Sequence, residues 1–383
     1  MSRRHDIEDI DLLLVSALFP PLHTGAGQQA AAVLRQLSGV RCRVLTLGTP
    51  DLPAHEERDG LSIDRVGSIT AQRPARSFGA AVARRLPFLP RPDLLWVLGV
   101  GPATYATIAV GRARRIPVLV KLTLEGQDDA ATLGQRRAGR IRLEALRSAT
   151  LICPSDRLSE SALAAGFDPG RVYRIPNGVD LERFAPPGRD ARAPREIVFV
   201  GAILERKGLH LILDAMEKLL PTYPDLRLTV AGPWIEGRDA SHDAYVRDLR
   251  ARLVGQPLSD CVQVLGAVER PEDVLRRASI FVLPSDAEGL PNALLEAMAT
   301  AAVPIVTDLP SMREVVDPGI SGLLVGERNA SSWAEALGRL LSDRALLNRM
   351  SAAARDVVTA RFGLAAVAEQ YRGLFCKSMR GSR

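Results

Sequence analysis

Aromatic side chains make up only 4% of this 383-residue sequence, and it has five histidines and four cysteines. So few aromatics leave no platform on which bases could stack, and no known nucleic-acid module is recognised, so nucleic acid is not an expected partner. Cys42, Cys153, Cys261 and Cys376 stand far apart with no C-x-x-C pair. That argues against a zinc site and gives no disulfide framework; no metal and no cofactor are expected. Residues 1–11 are charged and polar, so no secretory segment is expected and the cytoplasm is the expected compartment. Long apolar runs are also scarce. Residues 94–111 carry no charge and approach the lower length limit of a spanning helix. Gly99, Gly101 and Pro102 interrupt them, however, and the turn chemistry reads as strand, turn and helix.

What is abundant is small and aliphatic. Apolar residues make up 46%, so the cores must be built from Ala, Leu and Val. The length suits two domains of ordinary size. Apolar runs of strand length recur at 12–17, 43–47, 94–98, 118–123 and 151–153, with helical patterns between many of them, such as 28–37 and 140–148. Such alternation predicts α/β architecture with parallel sheets covered by helices. Residues 184–195, rich in Pro, Arg and Ala, break the rhythm and read as a linker between a first domain, 1–183, and a second, 196–363. The alternation restarts at 197–200, 226–230, 262–265, 280–283 and 303–306, and the tail from Ser332 reads as helix.

Two segments carry chemistry. In the first, Ser279-Ile280-Phe281-Val282-Leu283 reads as a buried strand. It runs through Pro284-Ser285-Asp286-Ala287-Glu288-Gly289-Leu290-Pro291 into an apolar helix holding Asn292, Ala293 and Glu296. A helix N-terminus offers unpaired N–H groups to phosphate, and the two glutamates stand beside it. In the second, Ile197-Val198-Phe199-Val200 runs through Gly201 to Arg206-Lys207-Gly208 and into a helix over 209–220. Adjacent cations at a helix start make a diphosphate clamp. Alone, the first segment reads better as ordinary helix capping, and the second equally well as a solvated basic turn. Together, both at the C-terminal ends of predicted strands, they occupy the edge where open α/β sheets bind ligands.

With these motifs on view, the chain resembles a retaining glycosyltransferase of family 4. Gly201 to Gly208 matches the family's G-x(n)-[RE]-K-G segment and Glu288 to Glu296 its E-x7-E segment. Pro176-Asn177-Gly178-Val179-Asp180 and Gly25-Ala26-Gly27 match two further elements, and the four stand in the family's order. The resemblance implies the GT-B fold: two Rossmann-like domains facing each other across a cleft, with residues 364–383 forming a helix that crosses back to the first domain. It implies a nucleoside-diphosphate sugar, UDP- or GDP-linked, as donor on the second domain. Glu296 would meet the ribose, Arg206 and Lys207 the diphosphate, and Glu288 the sugar. Amides at Gly289, Leu290, Asn292 and Ala293 would share the diphosphate. Gly25, Gly27, Gly201, Gly232 and the backbone near Val268 would approach donor or acceptor closely. Many members carry a histidine where this sequence has Thr123; Thr123, Glu125 or Asp128 would position the acceptor instead. Asp128 and Asp129 read equally well as a helix cap.

The acceptor implied is a glycolipid or a surface-polysaccharide intermediate. A related epimerase or hydrolase, and a catalytically weak partner subunit that binds a nucleotide sugar, are the rival readings. The net charge is +6 and nearly all cations are arginine. Arg73, Arg76, Arg84, Arg85 and Arg91 lie in one segment with no acid, and Arg136, Arg137, Arg140, Arg142 and Arg147 follow in another, which holds Glu144. They read either as solvated surface or as peripheral docking on anionic lipid at the inner face of the membrane.

Overall fold

A computed structural model describes residues 9–22, 24–70, 74–135, 138–188, 193–237 and 239–380. Arg73, Arg136, Arg137, His5 and His23 lie outside them. The contacts divide the chain into unit 1, Met1–Gly178 with Leu364–Arg383, and unit 2, Val179–Gly363.

Unit 1 holds eight strands: β1 (Ile10–Val15), β2 (Val40–Leu47), β3 (His55–Arg58), β4 (Leu61–Val66), β5 (Leu94–Leu98), β6 (Val118–Lys121), β7 (Thr150–Cys153) and β8 (Val172–Arg174). They form one sheet in the order β3-β4-β2-β1-β5-β6-β7-β8. All neighbours are parallel except β3 and β4. Ile-Asp-Leu-Leu-Leu-Val in β1 is nearly all apolar because helices cover both faces of a parallel sheet. Alternate side chains serve different cores: Leu12, Leu14 and Trp96 one face, Leu13, Val15 and Val97 the other. On the first face lies the helix Leu364–Arg380, whose Tyr371 and Phe375 rings stand 5.1 and 5.6 Å from that of Trp96. The uncharged stretch at 94–111 is β5 followed by the helix Pro102–Arg114. Among the described residues no helix is long and apolar enough to cross a membrane.

Unit 2 holds β9 (Ala193–Val200), β10 (Arg227–Ala231), β11 (Val262–Gly266), β12 (Ala278–Leu283), β13 (Val303–Thr307) and β14 (Leu323–Val325). All are parallel, in the order β11-β10-β9-β12-β13-β14. The order reverses between β9 and β12, the point where doubly wound sheets open a ligand crevice beyond the strands' C-terminal ends.

Four strands escape the sequence reading. β3 is a charged four-residue edge strand, β8 and β14 have three residues each, and β4 alternates buried Leu61, Ile63 and Arg65 with half-buried neighbours. The expected linker end at 195 also needs correction. β9 starts at Ala193, where the strand meets Ala278 of β12 before a register shift.

Candidate active site

The polar cluster of unit 2 sits at this switch point. The turn Glu205–Lys207 follows β9, and Gly208 then adopts φ +70° before the helix Leu209–Leu219 begins. A left-handed residue here needs glycine, and space demands it too: a Cβ on Gly208 would stand 2.3 Å from the carbonyl oxygen of Pro284. The two motif loops therefore meet backbone to backbone. Asp286 N donates to Arg206 O at 2.8 Å, and Arg206 Nη1 donates to Ala287 O at 3.1 Å. Glu288 is buried, and its Oε1 accepts from Lys207 Nζ and lies 3.6 Å from Arg206 Nη1. Buried Ser311 holds the Glu288 carbonyl at 3.2 Å. A carboxylate and two cations thus share one pocket of charge, close enough for strong mutual attraction away from water.

Gly289 and Leu290 follow, both buried, and Pro291 caps the helix Asn292–Ala299, on which Asn292 and Ala293 are half-buried. Glu296 lies further along the same helix. Burial of its carboxyl pushes its pKa up to about 7, against the pull of Arg183 and with the push of Glu272. Arg183 Nη2 and Glu272 Oε2 pair at 2.9 Å, with Glu272 buried. The neighbouring loops complete the edge as a ladder. Gly201 N donates to Ala231 O, and Gly232 N to Gly266 O at 2.7 Å. A Cβ on Gly232 would stand 1.9 Å from Gly201 O. Val268 is half-buried in the loop after β11.

Sequence reasoning missed Arg328, in the loop after β14. Its guanidinium donates to Pro284 O at 2.8 Å and pairs with Asp286 at 2.6 Å. It braces the turn that carries Glu288, and no local pattern announces it.

The remaining predicted residues lie in unit 1. Gly25 and Gly27 open the helix Gly25–Gln36 after β1, and a Cβ on Gly27 would stand 2.7 Å from Leu18 O. Thr123 follows β6, and both its amide, at 2.9 Å, and its hydroxyl donate to Asp128 Oδ2. Asp128 Oδ1 accepts from Val100 N at 3.3 Å, so this buried carboxylate joins the loops after β5 and β6. Burial raises its pKa while those hydrogen bonds oppose the rise. Asp129 takes the capping role, accepting from Gly126 N at 2.7 Å and Thr132 N at 2.8 Å. Glu125 is partly buried in the same loop. The P-N-G-V-D element straddles the two units. Asn177 accepts from Lys121 Nζ at 2.7 Å in unit 1, while in unit 2 Asp180 caps the turn at Glu182 and Arg183. Among the described residues no group of three His, Cys, Asp or Glu side chains could share a metal ion.

The profile described as Glycosyl transferases group 1 matches residues 185–357, and that described as Glycosyltransferase Family 4 matches residues 24–183. The chain belongs to glycosyltransferase family 4. Among relatives of the family 4 chain, a GDP-mannose:cellobiosyl-diphosphopolyprenol alpha-mannosyltransferase of Xanthomonas campestris is 27% identical over 78% of this chain and 76% of its own. A glycogen synthase of Mycobacterium tuberculosis is 32% identical over 57% of this chain. The match covers 51% of that synthase, and only 21% of an exopolysaccharide phosphotransferase of Streptomyces coelicolor. The chain thus spans about half or less of those two curated relatives. Two solved structures share the fold: HepE of Anabaena (TM-score 0.78, 15% identity, 96% of this chain and 99% of that one) and sucrose-phosphate synthase of Thermosynechococcus elongatus (0.76, 21%, 96% and 100%). Both establish the GT-B class, two parallel-sheet α/β domains.

Proposed function

We propose that this protein moves a sugar from a nucleoside-diphosphate donor to an acceptor hydroxyl, with retention at the anomeric carbon. The observation that carries the reading is the Arg206, Lys207 and Glu288 cluster at the switch point between β9 and β12. Arg206 and Lys207 neutralise the diphosphate as it leaves, which is electrostatic stabilisation of developing charge. The bond from the anomeric carbon to phosphate oxygen breaks, the bond to the acceptor oxygen forms on the same face, and the hydroxyl proton passes to the departing phosphate. Glu288 meets the sugar, and Glu296 accepts the ribose hydroxyls, as an ionised carboxylate can. The two cations do the charge work a divalent ion would do, so activity should persist in chelator.

The acceptor class supported best is a lipid-linked or surface-polysaccharide intermediate, because a relative matched over three quarters of its length is named for a diphosphopolyprenol acceptor. A thermal-shift panel with UDP, GDP, ADP, CMP and TDP tests the donor site. One diphosphate at 100 times its Kd should add about 2.7 kcal/mol to wild type and far less to Arg206→Ala. No shift with any of the five defeats the reading. Donor turnover by the protein alone separates an enzyme from a nucleotide-sugar-binding partner subunit.

A further inference from the structure

We propose that residues 86–91 of unit 1 form a tip that docks on an anionic lipid bilayer. The helix Pro74–Arg85 turns Phe78, Gly79, Ala81 and Val82 into the core and leaves Arg76, Arg84 and Arg85 exposed. It runs into the turn Leu86–Phe88, where Leu86 is buried but Phe88 is 86% exposed. The helix Pro102–Arg114 packs beside it and ends in Arg112, Arg114 and Arg115. The two helix ends converge on the tip. Arg114 Nη1 donates to Leu89 O at 3.0 Å, and Arg91 Nη2 donates to Arg115 O at 3.0 Å. Arg84, Arg85, Arg91, Arg112 and Arg115 are exposed on the segments that converge on the tip, as is the Phe88 ring.

Counter-charge is nearly absent. Between residues 74 and 124 the only acid is Asp93, and its carboxylate accepts from the amide of Asp11 at 2.9 Å. Asp11 in turn faces Arg41 at 3.5 Å. A lone exposed apolar side chain is ordinary; one on a tip where five exposed arginines and no exposed acid but Asp93 converge is not. A bilayer answers both features. Lipid phosphates suit the guanidinium fork, and the ring, flanked by Pro87 and Pro90, suits the headgroup boundary. One apolar contact and a polybasic patch together make the two signals that stable peripheral binding needs. An acidic protein would satisfy the charge but not call for an inserted ring.

The tip's place in the sheet gives the docking a direction. The chain leaves β4 at the strands' C-terminal edge and starts β5 at the N-terminal edge, so residues 86–91 lie at the N-terminal edge, where Arg43 holds Pro90 O at 3.0 Å. Docked there, unit 1 holds the loops after β1, β5 and β6 about one strand length from the headgroups.

Co-sedimentation with phosphatidylcholine vesicles, with and without about 30 mol% phosphatidylglycerol, tests this whatever the donor proves to be. Wild type should sediment only with the anionic vesicles and be released by high salt. Arg84→Glu with Arg85→Glu should weaken binding about tenfold or more, and Phe88→Ser should weaken it several-fold, each with an unchanged melting temperature. Phe88→Trp emission should shift to the blue on adding anionic vesicles. Failure of wild type to sediment at low salt overturns the proposal. So does equal binding by Phe88→Ser together with an unshifted Phe88→Trp spectrum, which would mean charge adsorption alone.

Discussion

Lys207 Nζ donates to Glu288 Oε1 across 81 positions of sequence. The cation that the proposed function gives to the diphosphate already holds an anion of its own chain. On that proposal, diphosphate binding competes with Glu288 for Lys207 and frees Glu288 as the donor settles.

That competition separates binding from turnover. Glu288→Gln removes the internal anion, so nucleoside diphosphate should bind as tightly as to wild type or more so. Turnover should fall by about a hundredfold or more, as when one charge-stabilising group is lost from a transition state. Calorimetry beside steady-state kinetics reads both; weaker nucleotide binding in the variant would show that Glu288 serves the donor complex directly.

Glu296 makes donor binding depend on pH. Burial favours its neutral form up to about pH 7, with Arg183 and Glu272 as its charged neighbours. If ribose needs the carboxylate, nucleotide affinity should rise about tenfold from pH 6 to pH 8, and Glu296→Gln should lose the slope. Stability runs the other way. A carboxyl with a raised folded pKa stabilises below its ordinary pKa, and that contribution disappears as pH rises through 7. Melting curves of wild type and Glu296→Gln across this range check the sign.

Lys121 behaves oppositely. Its ammonium is buried, hydrogen-bonds Asn177 and lies 5.6 Å from the Tyr371 ring centroid, and burial pushes its pKa down to about 7. The protein therefore loses stability as pH falls from the ordinary lysine range to about 7, where the unfolded amine is charged and the folded one is not, and the loss levels off below 7. Lys121→Met should raise stability at pH 6 by about 1–4 kcal/mol, with the gain shrinking as pH rises from 7 towards the ordinary lysine pKa. A variant no more stable at pH 6 than wild type would mean the charged amine is well accommodated.

What the sequence disclosed and what it withheld divide along a physical line. The placement of Arg206, Lys207, Glu288 and Glu296 beside strand-to-helix turns was legible because turn chemistry is local. The alternation of strands and helices was legible for the same reason. Arg328 and its bond to Pro284 span 44 positions, and Lys121 and Asn177 span 56; neither partner marks the other in a linear pattern. Thr123 and Asp128 are five apart, yet only the fold shows that Asp128 also reaches Val100. β3 has no apolar periodicity at all, since it pairs at an edge through its backbone.

Unit 2 is one continuous stretch, whereas unit 1 is assembled from both ends of the chain. During synthesis unit 2 has all its residues before the helix that covers Trp96 has emerged. Until residues 364–380 arrive, the helix Gly25–Gln36 shares that core without them, and the part of the sheet face around Trp96 that Tyr371 and Phe375 cover stands open. The first half of the chain to be made is thus the last to be finished. A nascent or C-terminally trimmed chain should expose that surface to chaperones while unit 2 is already folded.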